Sequence, residues 1–573
     1  MARPDASFIH YYQTELAYYR ELAQEFGRVH PEVAYLVAGR GGDASTDRLF
    51  QGAAMLTSRL RQRVEDDLPE ITHPLFAQLW PQYLRPVPAV TMLQFTPLPN
   101  VLRQSQLIPA ATEVLSRVVG SDEEASVQCP FRTCNPVMLH PLELKQAELV
   151  RPHAGDLQLR IRFRVTGGAH LGAITLLSLR LQLLGEMATR FSLYEWLVAR
   201  TRQVSLQSPD GERHLVLDRT AIHAVGFEDD ESLCPHLPTP LTGLRLLQEY
   251  FVFVDKFLAV EVQGLDRLER LPDTGLEVFD LVFHLGVMDP EGVRVDASNF
   301  GLSCVPAINL SGVQRADIRV VPGEHRYRID AMDDGEVFEL DRVRAYDPQR
   351  NDWIEYPRLV QERWPDASDV HPCYHVLRRA DAVDGVQTLV QVTDHRGRPM
   401  TPNADMLQVS YSYTNGPAAV QLGPGEVAQP TTSSPEFATF GNITSVVPGV
   451  PIGLGRERFW RLLARLNMHP AELCRQDGLE SLIDEMDGDR VGGGPEIQAV
   501  RVTVSSRLFR RSVVPMRMIE VDLVEQSFLS SGQLFLFGTV LRRMFTRSAG
   551  SMVFNQLTVR AMPSGVEHRF DPA

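Results

Sequence analysis

The residue types best suited to chemistry lie in the segment HPCYH at residues 371–375. On a strand, His371, Cys373 and His375 would share one face and offer three ligands that suit a zinc ion. The sequence indicates no fourth ligand, and Pro372 would distort the strand. A half-exposed strand with a small buried cysteine explains the same segment, and we favour that interpretation.

A second cysteine motif, CPFRTC at residues 129–134, places Cys129 and Cys134 at a C-x4-C spacing. No second cysteine pair follows, so we expect packed thiols rather than a metal or redox site. The six cysteines of the chain also include Cys234, Cys304 and Cys474. They are too sparse and scattered for a disulfide scaffold.

Clustered carboxylates are a third kind of candidate, because two of them can act as acid and base. Asp333, Asp334 and Glu336 form one such cluster, and residues 65–67 form another. With 72 acidic residues in the chain, such clusters arise by chance. The sequence also lacks the G-x-S-x-G, H-E-x-x-H, Walker and G-x-G-x-x-G motifs. We therefore expect no catalytic residue, no cofactor and no metal.

An arginine-rich face is predicted on the strand LQLRIRFRV at residues 157–165. Apolar side chains alternate there with Arg160, Arg162 and Arg164, which is typical of a half-buried strand. The arginines could engage an acidic partner, but a solvated sheet face is the interpretation that we favour.

Composition limits the classes of function. The chain has 573 residues, 44% of them hydrophobic, and a net charge of −15. This charge argues against a general binder of nucleic acid or of anionic membranes, since both require a positive surface. Lys145 and Lys256 are the only lysines, and the other basic residues are arginines, which suit protein interfaces. With no secretory signal and no run of 18 apolar residues, we expect a cytoplasmic protein.

The first helix carries a long apolar stripe, which recurs at intervals of four and three residues. Its members are Tyr12, Leu16, Tyr19, Ala23 and Phe26. A second helix has its own stripe, which includes Leu49, Ala53 and Leu56. Either the two stripes cover each other in one hairpin, or part of this surface joins a helix bundle formed by several chains.

The rest of the chain changes from helical to strand periodicity and back. Besides 157–165, clear strand patterns lie at 276–283, 388–392 and 406–413, and helix returns after a linker near 441–455. The fold class expected is α+β and multidomain. The predicted segments are a helical region at 1–95, β-rich modules at 96–225, 226–345 and 346–445, and a mixed α/β region at 446–573.

Several segments together resemble the TssF family, also called ImpG or VasA, of the bacterial type VI secretion system. The resemblance begins with residues 11–34 and 47–95 and extends over essentially the full length. It continues in LLQEYFVFVDKFLAVEV (246–262), FGLSCVPAINL (300–310), YRIDAM (327–332), FWRLLARLN (459–467), FLFGTVLRRMF (535–545) and FNQLTV (554–559). Two segments depart from the family pattern: YTNGPAAV (413–420) lacks the usual Thr-Asn-Arg-Asp-Leu-Pro, and LIPAATEV (107–114) lacks a glycine after Ile-Pro.

The resemblance implies a non-enzymatic wedge subunit of the type VI secretion baseplate, similar to a wedge protein of contractile phage baseplates. It implies a cytoplasmic baseplate docked at the inner-membrane complex. Two copies of the chain would join one TssG, partly through a helical core bundle, and the wedge would bind TssK and TssE around the VgrG spike. The sheath would polymerise from this platform. The candidate interface residues are Tyr12, Leu16, Tyr19 and Phe26 of the first helix and Phe535, Phe537, Leu541 and Phe545 of the last.

The sequence leaves two further interpretations open. One is a wedge protein of another contractile injection particle or of a phage-derived tail. The second, from a different class, is a β-rich carbohydrate hydrolase, which needs two carboxylates about 5–10 Å apart in one cleft. At least one of these two carboxylates would need a raised pKa.

Overall fold

The computed structural model of the chain consists mostly of antiparallel sheets with a few helices. It describes residues 6–29, 45, 47–59, 73, 76–77, 80–120, 126–153, 156–168, 171–210, 214–235, 242–266, 277–290, 292–359, 371–381, 385–453, 475–487, 494–509, 512–548 and 554–570.

The strands of the described residues are numbered in chain order. They are β1 (Val90–Pro97), β2 (Gln106–Ile108), β3 (Glu113–Val119), β4 (Val127–Thr133), β5 (Val137–Leu139), β6 (Leu142–His153), β7 (Asp156–Val165), β8 (Ser178–Leu183), β9 (Gln203–Gln207), β10 (His214–Asp218), β11 (Ile222–Ala224), β12 (Ala259–Gln263), β13 (Val278–Val287), β14 (Phe300–Leu302), β15 (Cys304–Asn309), β16 (Gln314–Arg319), β17 (Arg326–Ile329), β18 (Glu336–Asp347), β19 (Asp352–Tyr356), β20 (Pro372–Asp381), β21 (Gly385–Asp394), β22 (Met406–Thr414), β23 (Val427–Gln429), β24 (Ala438–Asn442), β25 (Ile497–Phe509), β26 (Ser512–Val524), β27 (Phe554–Met562) and β28 (Glu567–Phe570).

The helices are fewer. They are α1 (Ala6–Val29), α2 (residues 47–59), α3 (Met187–Glu195), α4 (Thr242–Val252), α5 (Pro417–Val420), α6 (Gln476–Asp487) and α7 (Ser531–Ser548). A π-helical turn, Trp196–Arg200, extends α3, and the 3₁₀ turns used below are Pro81–Leu84 and Val254–Phe257. The expectation of an α+β, multidomain fold is confirmed.

The chain divides into two compact units, each built from separate stretches of sequence. The first comprises residues 1–85, 313–413 and 452–459. It contains a four-stranded sheet in the order β16-β22-β18-β19 and a three-stranded sheet in the order β17-β21-β20. Buried side chains from both sheets, including Val343, Val390 and Leu407, form one core.

The second unit comprises residues 86–312, 414–451 and 460–573. Its largest sheet has the order β23-β3-β4-β15-β1-β24, with a core that includes Leu93, Phe131 and Ala307. Its other sheets have the orders β10-β9-β13-β7-β6, β11-β12-β8-β14, β2-β5 and β25-β26-β27-β28. Since the largest sheet takes strands from residues 90 to 442, neighbours in space are far apart in sequence. The five consecutive segments stay a prediction.

Several predicted elements are confirmed. The strand at 157–165 is β7, where Leu157, Leu159 and Ile161 are buried and the intervening side chains are not, as the alternation predicts. The predicted strands at 276–283, 388–392 and 406–413 correspond to β13, β21 and β22. The first part of the helical region expected after the linker, residues 454–474, lies outside the described residues.

The last helix forms a crossover between parallel strands. β26 and β27 pair in parallel, and α7 connects them. Parallel neighbours need such a crossover, and its helix packs back onto the sheet. The helix is therefore covered on one side by β27 and β28 and on others by α3 and α4. This position explains why its sequence is apolar nearly all round.

Candidate partner-binding surface

The apolar stripe predicted on α1 is only partly covered. Ala23 is buried, while Tyr12, Leu16 and Tyr19 are half-buried. Phe26 is 51% exposed, which is unusual for a phenylalanine in a folded protein. The stripe therefore faces the rest of the chain over its first turns and reaches solvent at its end.

The sequence alone did not identify a second line of apolar side chains along α1. Tyr18 and Leu22 are exposed and precede Phe26 at steps of four residues, which places the three on one line of the helix. The spacing is visible in the sequence, but spacing alone does not say which of two apolar lines faces the protein. The structure shows that this line faces solvent.

The second helix exposes the larger members of its stripe. Leu49 and Leu56 are exposed, whereas Ala54 and Ser58 are completely buried. Arg20 of α1 forms an ion pair of 3.1 Å with Asp47 at the start of α2. The two helices thus touch, but their stripes do not cover each other fully among the described residues. The choice between a closed hairpin and a bundle with another chain stays a prediction.

The candidate interface residues of α7 lie inside their own unit. Phe535, Phe537, Leu541 and Phe545 are all buried. The ring of Phe537 lies 5.4 Å from that of Tyr250 in α4, and Phe535 stacks on another ring of the unit. The crossover packing uses these apolar side chains, and an interface role for α7 stays a prediction.

The arginine face of β7 is paired within its sheet. Arg162 donates two hydrogen bonds, of 2.7 and 2.8 Å, to the carboxylate of Asp280 on β13. Arg160 lies 3.9 Å from Glu148 on β6 and 3.9 Å from Asp280. Acidic side chains of the neighbouring strands therefore balance Arg160 and Arg162, whereas Arg164 is exposed.

The residues of the HPCYH segment do not converge on a metal site. Cys373 is buried in β20, and its thiol faces the carbonyl of His371 at 3.7 Å. Burial lowers the pKa of His375 to about 4. Among the described residues, no group of three or more His, Cys, Asp and Glu side chains could hold a metal ion.

The remaining cysteines and carboxylates considered for chemistry are also engaged in the packing and hydrogen bonding of the fold. Cys129 is buried in β4, and burial raises the pKa of the Cys134 thiol, which makes it a poor nucleophile. Asp333 accepts a hydrogen bond of 3.1 Å from the Tyr413 hydroxyl. Burial raises the pKa of Glu336. Asp334 follows Asp333 in the same turn, and residues 65–67 lie outside the described residues.

Two cavities lined by described residues do not fit a carbohydrate hydrolase. The lining of the first cavity contains the carboxylate of Glu339. The second cavity, of about 210 Å³, contains that of Glu261. Neither lining has a second carboxylate among the described residues. A glycosidase needs two such groups across its substrate. As for membranes, none of the helices described is both long enough and apolar enough to cross one.

Comparison with known proteins decides the family. The family model for the type VI secretion system protein TssF matches residues 4–573. The chain belongs to the TssF family. The resemblance inferred from the separate segments is thus confirmed over nearly the whole chain.

Individual relatives agree with this family. The chain is 28% identical to the type VI secretion system component TssF1 of Pseudomonas aeruginosa, over 97% of each chain. It is similar to a chain in the cryo-electron microscopy structure of the TssK-TssF-TssG baseplate subcomplex, with a TM-score of 0.74, 25% identity and coverage of 92% of this chain and 98% of that one. A chain of the type VI baseplate complex shares the fold, with a TM-score of 0.62, 21% identity and 99% coverage of both.

The TssF-like segments mostly build cores. All residues of Cys304–Asn309 are buried in β15, and Phe253 and Phe257 are buried around the 3₁₀ turn that follows α4. Lys256 of that turn pairs with Glu249 in the interior. These family-like segments therefore specify the fold, whereas residues 11–34 and 47–95, which also resemble the family, carry the exposed side chains of α1 and α2.

Proposed function

We propose that this chain is a structural, non-enzymatic subunit of a type VI secretion baseplate and that it assembles with TssG- and TssK-type proteins. One observation carries the proposal: the fold matches, over 92% of this chain and 98% of the other, a chain from a TssK-TssF-TssG subcomplex. The wedge would contain two copies of this chain per TssG and would also contact TssE and the VgrG spike. The sheath would be engaged indirectly, from a cytoplasmic baseplate docked at the inner-membrane complex.

The exposed apolar side chains of α1 and α2 are the proposed contact for a helix of the TssG-type partner. These side chains are those of Tyr18, Leu22, Phe26, Leu49 and Leu56, and the half-buried Tyr12, Leu16 and Tyr19 flank them. Burying one large apolar side chain contributes about 1.5–3 kcal/mol. Several such side chains at the centre of an interface are enough to hold two helices together. We propose that a trigger rearranges these contacts and thereby starts the contraction of the sheath.

Native mass spectrometry tests the assembly. The chain would be expressed alone and together with the TssG-type protein from the same genome. We expect a stable complex with two copies of this chain per partner. If the chain stays monomeric and does not bind the partner, the proposed function is wrong. A wedge role in a different contractile injection particle would then have to be tested.

A matched pair of leucines tests the contact surface. Leu56 of α2 is 67% exposed and Leu529, which precedes α7, is 68% exposed, so both substitutions to serine spare the core. We expect Leu56→Ser to weaken the complex about 10- to 100-fold, because it removes one buried apolar contact. Leu529→Ser should leave the affinity unchanged. Equal affinities for the two variants would show that α2 is not the contact.

A further inference from the structure

A small cavity in the first unit has an unusual set of charges around it. Its volume is about 40 Å³. It lies between the 3₁₀ turn Pro81–Leu84, the strands β18 and β20, and the residues after β19. Its polar lining consists of His73, Arg85, Glu339, Arg358, His375 and Arg378.

Among the described residues, this lining contains three guanidinium groups and one carboxylate, that of Glu339. Arg85 and Arg358 both pair with Glu339, the second at 3.2 Å. Arg378 instead donates to the backbone carbonyls of Val337 and Phe338, at 2.8 and 2.5 Å. The lining therefore carries more positive than negative charge.

The positive charge of Arg378 is costly in this place. Burial lowers its pKa to about 10, and the charges of Arg85 and Arg358 act in the same direction, against the opposing effects of Glu336 and Glu339. A buried cation in excess of its counter-charges is unfavourable, and an anion bound beside it would reduce that cost.

His375 adds an unpaired polar side chain at the same cavity. It is only 8% exposed, and neither of its ring nitrogens has a hydrogen-bond partner among the described residues. Because its pKa is about 4, the ring is neutral near pH 7 and presents one N–H donor and one acceptor nitrogen. Leaving a buried donor unpaired is costly, and a bound acceptor would remove that cost.

We propose that this cavity binds a small oxyanion, a carboxylate or phosphate group, which accepts hydrogen bonds from His375 and Arg358. The planar fork of an arginine matches the geometry of both groups. One water needs about 10–15 Å³ on this measure, so the cavity has room for more than a single water. The oxyanion comes either from a free small anion or from an acidic side chain of a partner protein.

Calorimetric titration of the full chain with inorganic phosphate, and separately with acetate, tests the free-anion source. Arg358→Gln is the test variant, because its side chain is 22% exposed and pairs only with Glu339 among the described residues. Arg350→Gln is the matched control in the same unit, with a side chain that is 75% exposed. We expect saturable binding that is weakened at least 10-fold by Arg358→Gln and is unchanged in the control. His375→Gln should weaken binding as well, and thermal unfolding would confirm that each variant is folded.

The partner source is tested in the complex with the TssG-type protein, and this arm rests on the proposed function. If free anions do not bind, we expect Arg358→Gln to weaken that complex at least 10-fold while Arg350→Gln does not. If Arg358→Gln changes neither anion binding nor complex formation, the cavity holds only water and the proposal is wrong. Normal assembly in that same experiment would leave the proposed baseplate role intact.

Discussion

Asn309 shows how a single side chain joins separate segments of the chain. Its amide nitrogen donates to the carbonyl oxygen of Pro130 at 2.9 Å and to the side chain of Asn415 at 3.0 Å. Its amide oxygen accepts from the Thr414 hydroxyl at 2.8 Å and from the Asn415 backbone at 2.7 Å. All of these contacts are buried. Thr414 and Asn415 lie in a segment that departs from the family pattern only after them, so the departure leaves this network intact.

Replacing Asn309 with alanine should therefore be strongly destabilising. The change removes four hydrogen bonds and leaves buried partners unpaired, which costs about 3 kcal/mol. Urea denaturation followed by circular dichroism measures the effect on the free energy of unfolding. Asn403→Ala, at an exposed position, is the control and should change stability by less than about 0.5 kcal/mol. A loss below about 1 kcal/mol for Asn309→Ala would contradict the prediction.

The backbone conformation of Ala111 affects the stability of the protein. It adopts φ +60° in the turn before β3, within the segment that lacks the expected family glycine. A left-handed conformation costs an L-residue about 1–2 kcal/mol, which glycine avoids. Glycine also loses more entropy on folding, which costs about 0.4–1 kcal/mol.

Ala111→Gly should thus stabilise the protein by about 0.5–1 kcal/mol. Ala110→Gly is the matched control one residue earlier, where the backbone has no positive φ. It should destabilise by about 0.5 kcal/mol, because it only adds freedom to the unfolded chain. Thermal melting of both variants decides the matter, and a lower melting temperature for Ala111→Gly would contradict the explanation.

At the scale of elements, α7 determines how the second unit is packed. Its first turn approaches α3 so closely that a Cβ atom at Gly532 would lie 2.1 Å from the carbonyl oxygen of Phe191. Near its other end, Arg547 pairs with Glu228 at 3.0 Å and also with Asp229. Backbone contact at one end and ion pairs at the other hold the crossover helix against its neighbours.

Two glycines in helices allow a direct comparison of packing with propensity. Gly532→Ala should destabilise by more than about 2 kcal/mol, because the new methyl group meets backbone that cannot move aside. Gly52→Ala in α2 meets nothing within 4 Å and should stabilise by about 0.5–1 kcal/mol, as alanine does in an open helix position. Chemical denaturation measures both. A neutral or stabilising effect of Gly532→Ala would contradict the close approach of α7 and α3.

At the scale of the whole molecule, buried histidines contribute to the loss of stability in acid. Burial lowers the pKa of His140 and His375 to about 4 and that of His73 to about 3, from an ordinary value near 6.5. Well above pH 6.5 these groups are neutral in both states, and their titration does not change stability. As the pH falls from about 6.5 to about 4, the unfolded chain binds protons that the folded chain does not, so stability is lost.

The expected slope is at most about 1.4 kcal/mol per pH unit for each histidine. Urea midpoints measured between pH 7 and pH 4.5 would reveal it. His140→Gln should flatten the dependence by about one proton, because one of the depressed groups is gone. If the variant and the original chain lose stability in parallel, His140 titrates at its ordinary value in the folded state.

The sequence by itself determined the periodicities and the family. Alternation in β7 and the apolar stripe of α1 follow from local spacing, since a strand repeats every two residues and a helix every 3.6. The ordered set of segments, including those around Asn309 and Phe257, led to the TssF assignment, and several of these segments build cores. The apolar residues of α7 likewise predicted a buried helix from the sequence alone.

Only the tertiary structure decided which apolar faces are covered. Spacing could not tell that α7 is buried by its own crossover, or that Phe26 and Leu56 reach solvent, because coverage depends on elements distant in sequence. The same reason hid the oxyanion cavity: its lining comes from residues 73 to 378, and only His375 stood out in the sequence. Local patterns fix which elements form, whereas long-range packing decides which side chains remain available to a partner or a ligand.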